Sequence, residues 1–165
     1  MGDVASDPAV LAHGRGGWAA TPWDYSSMRH LWLSADGSGE LVYGYGQTFY
    51  ARINCRWEVE SPGRLRLSYL PSPAFQAFRG YTPAGDEPSR VLDFVLTAGE
   101  VSGVESISGQ PYRFLWTLEL SEPPWPPELR LPYKVPRVFY GYPEPVRKQD
   151  AEPDASRDVG GHPGT

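Results

Sequence analysis

The chain has 165 residues, of which 40% are hydrophobic and 13% aromatic, and it carries a net charge of −5. This length allows one domain with a sizeable core, in which Trp and Tyr must supply much of the buried area. Residues 1–12 contain two acids and no base, and residues 143–165 contain five acids and three bases. The body between them is close to neutral, which argues against a nucleic-acid-binding face.

Cysteine content and hydropathy indicate a cytoplasmic protein. Cys55 is the single cysteine, so no disulfide framework within the chain is possible and a reducing compartment is favoured. The N-terminal residues lack the pattern of a signal peptide, and the apolar runs are much shorter than a membrane span. We expect no membrane association.

The first predicted hairpin follows a loose segment over residues 1–12. Leu31 and Leu33 alternate with His30 and Trp32, a period that is typical of a strand with one buried face. The residues 36–39, Asp-Gly-Ser-Gly, predict a tight turn into a second strand over residues 41–45.

The clearest strand covers residues 49–59, where six apolar positions alternate strictly with polar ones. A Ser-Pro-Gly turn separates it from a strand over residues 65–69. Residues 71–89 form a long connection, in which residues 74–78 are predicted to make a helical turn that acts as a lid over an open end.

The second half of the chain continues the strand pattern. Strands are predicted over residues 91–97 and 101–107, separated by a turn at 98–100, and then over residues 112–120. The run Pro-Pro-Trp-Pro-Pro at residues 123–127 is predicted to cross the surface as an extended polyproline segment.

The end of the chain combines a last strand with a tail. The strand is predicted over residues 138–142. Residues 146–165 are polar, charged and rich in Gly and Pro, which predicts a disordered acidic tail. The β domain therefore covers residues 13–145.

Short strands joined by hairpin-length turns favour an all-β fold in up-and-down order. Closing the sheet removes its exposed edges, so we expect an antiparallel barrel of about eight strands, with a β-sandwich as the alternative. An eight-strand barrel is just wide enough for packed side chains or for one small ligand.

The order of these features resembles the lipocalin-like, or calycin, barrels. Gly16-Gly17-Trp18 is similar to the Gly-x-Trp that opens the first lipocalin strand, and Trp57-Glu58 ends a strand before a Pro-Gly turn, as in bacterial lipocalin-like domains. The resemblance implies that Arg137 packs over Trp18. It also implies binding of small apolar or amphipathic molecules. The Thr-Asp-Tyr motif of lipocalins is absent.

Aromatic residues on the inward face are the candidate ligand-binding set, because such rings line ligand cavities in barrels. A packed aromatic core is the alternative interpretation. The set comprises Tyr43, Tyr45, Trp57, Tyr69, Tyr112, Phe114 and Trp116.

Few residues are candidates for catalysis. Asp93 lies in a strand with two apolar faces, and burial would raise its pKa and allow acid–base chemistry. An outward Asp93 paired with an arginine is the alternative. Cys55 on the apolar face is expected to be an inert core thiol, and the three histidines do not form a metal motif. No cofactor is implied.

Three functions remain open. The first is a barrel that binds a small apolar or amphipathic molecule. The second is a protein-interaction module, such as an inhibitor or immunity-type protein, which uses exposed Trp32, Tyr50 and Trp125. The third is a barrel enzyme of specialised metabolism that uses Asp93 as a lone acid. Binding is favoured over catalysis because catalysis normally requires a constellation of groups.

A chain truncated after residue 145 is expected to keep the melting temperature of the full chain. The removed segment has almost no apolar side chains with which to offset the entropy of ordering it. Thermal unfolding of the two chains measures this directly, and a large fall in the truncated chain would mean that the tail docks on the domain.

Overall fold

A computed structural model describes residues 8–12, 17–21, 27–45, 48–76, 78–86, 88–131 and 135–141, without the side chains of residues 27, 45 and 48–50. These residues form one short helix and eight strands: α1 (Pro8–Leu11), β1 (Trp18–Ala19), β2 (Ser27–Leu33), β3 (Ser38–Tyr45), β4 (Thr48–Ser61), β5 (Arg64–Tyr69), β6 (Ser89–Val104), β7 (Pro111–Leu120) and β8 (Val138–Gly141).

The eight strands form a closed antiparallel barrel in which every strand pairs with the strands before and after it in sequence. β1 closes the ring, since Trp18 pairs with Leu31 of β2 and Ala19 pairs with both His30 of β2 and Tyr140 of β8. The predicted all-β, up-and-down architecture is confirmed.

The core lies inside this ring because the period of two in the strands places one face inward. In β4, Ala51, Ile53, Cys55 and Trp57 are buried, whereas the residues between them are half-buried or exposed. The thiol of Cys55 is part of this core, and burial raises its pKa to about 12. Cys55 is therefore protonated and inert at neutral pH, as expected from the sequence.

The first predicted turn is confirmed. Asp36 Oδ1 accepts hydrogen bonds from the backbone N–H of Ser38 at 2.9 Å and from its hydroxyl at 2.6 Å. Gly37 has a φ of +92°, a value that side chains rarely tolerate. The two Ser38 donors hold the pKa of Asp36 below its usual value, which is consistent with a carboxylate that organises the turn.

The turn predicted at residues 98–100 is wrong, because β6 runs without interruption from Ser89 to Val104. A β-bulge between Ala98 and Val101 absorbs the glycine that suggested a turn. Within the described strands, β6 pairs with β5 only as far as Asp93, and β8 reaches only Trp116 of β7. Residues 98–115 therefore extend beyond the barrel as a two-stranded hairpin.

The helical turn predicted at residues 74–78 is also wrong. Ser72 and Tyr81 exchange backbone hydrogen bonds of 2.8 and 2.7 Å, and Phe75 and Phe78 exchange a second pair of 3.2 and 2.8 Å. The connection therefore pairs with itself, and this pairing uses the backbone N–H groups of Phe75 and Phe78. The Arg52 guanidinium lies 4.4 Å from the centre of the Phe75 ring.

At the end where β1 begins, Trp18 is fully buried and its indole N–H donates to the Leu11 carbonyl at 2.9 Å. Leu11 is also fully buried, so α1 packs on the core. The part of residues 1–12 that the structure describes is therefore folded, although the sequence predicted a loose segment.

Arg137 does not take the position that the resemblance implied. It precedes β8, whereas Trp18 lies level with the far end of that strand, as the pairing of Ala19 with Tyr140 requires. The Arg137 guanidinium instead donates to the Glu119 carboxylate at 2.7 Å and to the Leu120 carbonyl at 3.1 Å.

Gly17→Ala is expected to destabilise the fold by more than Gly109→Ala. Both glycines have positive φ, +63° and +72°. Both variants therefore place an alanine in the left-handed region, which costs about 1–2 kcal/mol of folding free energy. At Gly17 alone a Cβ would meet Trp32 at 2.7 Å and the Leu31 carbonyl at 2.9 Å, adding about 1–3 kcal/mol of overpacking. Urea unfolding measures both, and equal losses would show that Trp32 relaxes freely.

Candidate functional site

Residues 121–131, here called the strap, cross the end of the barrel at which β7 stops and β8 starts. Trp125 in this segment is only 2% exposed and packs edge-on against Tyr43, with ring centres 5.6 Å apart and planes at 84°. Its ring centre lies 6.0 Å from that of Phe139. Trp125 therefore closes this end of the barrel, and the prediction of a surface polyproline segment is wrong at this residue.

The guanidinium of Arg90, at the start of β6, holds the strap through hydrogen bonds to backbone carbonyls of the strap. Its Nη1 donates to the carbonyl oxygens of Pro123 at 3.0 Å and Trp125 at 3.1 Å, and its Nη2 pairs with Glu122 at 2.7 Å. Prolines donate no backbone hydrogen bond, so a Pro-rich segment depends on side-chain donors to satisfy its carbonyls. Arg90 provides two such bonds, and a third bond to the Glu122 carboxylate, from one guanidinium.

Two tyrosines complete the attachment. The Tyr69 hydroxyl donates to the Pro124 carbonyl at 2.5 Å, and the Tyr81 hydroxyl donates to the Glu128 carboxylate at 2.7 Å. Burial raises the pKa of Tyr69 to about 12. Burial and the Glu128 carboxylate both raise the pKa of Tyr81.

A pocket of about 310 Å³ lies against the outer side of the strap. This volume is at the lower end of the range typical of small-molecule sites, roughly 300–1,000 Å³. Most of its walls are apolar, and the charged side chains stand among them. The lining residues are Arg90, Glu122, Pro123, Trp125, Pro126, Pro127, Arg130, Leu131 and Val135.

The indole N–H of Trp125 is buried and has no hydrogen-bond partner. Two other buried tryptophans show the usual outcome, because Trp18 donates to Leu11 at 2.9 Å and Trp57 donates to the Ser34 carbonyl at 2.8 Å. An unpaired buried donor costs about 1–3 kcal/mol. Trp125, which lines the pocket, therefore carries a buried donor that has no partner among the described residues.

A second pocket, of about 190 Å³, lies on the outer face of β4 and β5. Its main cation, Arg66, already pairs with Glu58 and Glu60 and donates to the Ser89 hydroxyl at 3.0 Å. These charges neutralise one another, so the pocket offers little to a ligand.

The predicted ligand-binding residues separate into two groups. Tyr43, Trp57 and Tyr69 are buried together in the core. Trp116 is half-buried against that core, whereas Tyr112 and Phe114 lie on the hairpin extension with ring centres 5.9 Å apart. The Tyr112 ring covers Gly103 of the opposite strand. The side chain of Tyr45 lies outside the described residues.

Asp93 does not meet the condition on which its catalytic role depended. Leu92 and Phe94 point into the core, so Asp93 points outward, with its side chain 75% exposed and 3.6 Å from the Arg64 guanidinium. An exposed carboxylate is not desolvated, so the burial on which the acid–base role depended is absent. The alternative interpretation, an outward Asp93 beside an arginine, describes its position.

The residues predicted to contact a protein partner are not a common surface. Trp125 is buried, which corrects the expectation that it is exposed, because the tyrosine and arginine contacts draw it into the barrel end. Trp32 is half-buried and packs near His30, with ring centres 5.1 Å apart. The side chain of Tyr50 lies outside the described residues.

Sequence reasoning missed the arginines of the site. Arg29 shares the inward face of Leu31 and Leu33, is 8% exposed, and lies 5.3 Å from the centre of the Tyr43 ring. The same alternation that identified the strand would have placed it inward. Arg90 leaves no such signal, because it meets the strap across more than thirty residues, and Arg130 lies outside any strand, where alternation gives no information.

Over the described ranges, no helix has the length and apolar character needed to cross a membrane. Over the same ranges, no three His, Cys, Asp or Glu side chains are grouped as metal ligands. Burial lowers the pKa of His30, so this side chain is neutral at pH 7.

Arg90→Met is expected to lower the free energy of unfolding by about 2 kcal/mol or more, since it leaves strap carbonyls without donors. Arg66→Met is the matched control, because Arg66 makes exposed ion pairs that are worth about 0–1 kcal/mol. Urea unfolding compares them. Equal, small losses would show that the strap does not depend on Arg90.

Raising the pH from 10 to 12 is expected to destabilise the protein through Tyr69. Above pH 10 the Tyr69 hydroxyl keeps its proton in the folded state but loses it in the unfolded state. The stability that Tyr69 contributes below pH 10 is therefore lost as the pH rises towards 12. In a Cys55→Ala background, Tyr69→Phe should remove part of this loss, on the order of 2 kcal/mol. Unfolding curves at each pH measure it, and identical pH slopes would exclude Tyr69 as the titrating group.

Comparison of the chain with protein-family models gives no match, and comparison with curated proteins and with solved structures likewise gives no significant match.

Proposed function

We propose that this protein binds a small apolar or amphipathic molecule in the pocket beside the strap. The observation that carries the proposal is an apolar pocket lined by Trp125, a side chain whose buried indole N–H has no hydrogen-bond partner among the described residues. A buried donor without a partner is rare in folded proteins, and a bound ligand would satisfy it.

The composition of the pocket supports this function. Pro123, Pro126, Leu131 and Val135 provide apolar area, and a few polar groups stand among them to orient a ligand. Small-molecule sites typically combine these two features. The proline backbones and the Arg90 bonds hold the wall in place before binding, which reduces the entropy lost on association.

The proposed position lies outside the barrel interior. Tyr43, Trp125 and Phe139 pack together at the strap end of the barrel. A ligand that entered an internal cavity from this end would have to pass these rings. The internal site with Tyr45, Trp57, Tyr112 and Trp116 on its wall stays a prediction, and the experiment below distinguishes the two positions.

The alternative functions have less support. An interaction module would have used Trp125, which is buried, although Val104 and Ile107 on the hairpin extension are 60% and 69% exposed. An enzyme using Asp93 lacks the buried acid that it requires. The lipocalin-like grouping and a cytoplasmic location belong to the proposal, supported by the barrel order and by the single buried thiol.

Nile red, a neutral hydrophobic dye, is expected to bind the folded chain at one site with a rise in its fluorescence. Leu131→Trp adds bulk to the pocket wall and should weaken binding by about tenfold or more. Val104→Trp, the same change at an exposed aliphatic residue on the hairpin extension, should leave binding unchanged. Circular dichroism confirms that each variant is folded.

Ala51→Phe separates the pocket from the barrel interior, because Ala51 is buried on the inward face of β4. Dye binding that survives Ala51→Phe and is lost in Leu131→Trp supports the strap pocket. The reverse pattern would move the ligand inside the barrel. Absence of binding to the native chain would overturn the proposed function.

A further inference from the structure

The polar side chains that line the strap pocket are mostly hydrogen-bond donors. Its polar side chains are Arg90, Arg130, Glu122 and the Trp125 indole. The one carboxylate, Glu122, already accepts from Arg90 Nη2 at 2.7 Å. Arginine and indole groups donate and cannot accept, so a ligand must supply the acceptors.

Arg130 is the cation of the pocket lining that has no ion-pair partner among the described residues. Arg90 is occupied by two carbonyls and by Glu122, whereas no carboxylate pairs with Arg130 among the described residues. Two arginines and one glutamate leave a surplus of one positive charge in the lining. A ligand carrying one negative charge would balance it.

The backbone at Arg130 supports a role for its side chain. Arg130 follows the 3₁₀ turn Pro127–Leu129 in a left-handed conformation, with φ 47° and ψ 64°. This position is normally taken by glycine or asparagine, because a Cβ makes it costly. Strain of this kind is found at functional sites, where the side chain itself is required.

We propose that the ligand is a monoanionic amphiphile with a carboxylate head group. This inference rests on the proposed function and names the chemistry of its ligand. The apolar body packs against Pro123, Leu131 and Val135. The carboxylate accepts from the Arg130 guanidinium, whose planar fork matches carboxylate geometry.

Three probes with the same alkyl chain test the head group: octanoate, 1-octanol and octylammonium, each titrated calorimetrically into the full chain at pH 7. Octanoate is expected to bind at least about tenfold more tightly than 1-octanol, since hydrogen bonds to charged groups are stronger than neutral ones. Octylammonium should bind more weakly than either, because it meets the surplus positive charge.

The outcomes separate the two proposals. Equal affinity for octanoate and 1-octanol would overturn the anionic ligand while leaving a binding pocket in place. Failure of all three probes and of Nile red would overturn the pocket itself. Tighter binding of octylammonium would show that Glu122, not Arg130, dominates the site.

Variants of Arg130 test its role directly. Arg130→Gln should lower octanoate affinity to that of 1-octanol and leave 1-octanol unchanged. Arg113→Gln, at a 61% exposed side chain on the hairpin extension, is the matched control and should change neither. Equal loss for both probes would indicate altered structure and would contradict a head-group contact.

Arg130→Gly gives a second readout that a structural role would not produce. Glycine relieves the left-handed strain, so the melting temperature should stay the same or rise while octanoate binding falls. A variant that keeps full octanoate affinity would overturn the assignment of Arg130 as the contact for the carboxylate.

Discussion

The hydrogen bonds from Arg90 and Tyr69 to the strap backbone are the interaction on which the rest of this end of the molecule depends. They satisfy the carbonyls of Pro123, Pro124 and Trp125, and together they fix the chain on both sides of one indole. Trp125 then enters the barrel end and contacts Tyr43 and Phe139. Without these donors, desolvating three carbonyls would oppose the burial of the ring.

The position of Trp125 has two consequences. Inside the barrel, its ring packs with Tyr43, whose ring also contacts the Arg29 guanidinium. Outside, the rigid strap forms a wall, and Arg130 stands at its edge. One buried side chain therefore both closes the barrel and creates the pocket beside it.

Barrel closure accounts for the other unusual feature, the hairpin extension. β6 has 16 residues and its partner β7 has ten, whereas the strands on either side of this pair, β5 and β8, have six and four, so the ring cannot use the full length of β6. The part of β6 that follows Asp93 pairs only with β7. The bulge at Ala98 bends this hairpin, and Pro111 at the start of β7 removes a donor from its edge. Both features limit edge-to-edge association.

The sequence by itself determined the strands and their inward faces, because a period of two is a local property that survives in any sheet. It placed Tyr43, Trp57 and Tyr69 in one core, and its turn at Asp36 was correct. It did not separate a turn from a bulge at residues 98–100, since glycine permits both. Only the tertiary structure decided the site. Arg90 meets Pro123 and Trp125 across more than thirty residues, and neither propensity nor periodicity encodes which distant carbonyls a guanidinium will reach.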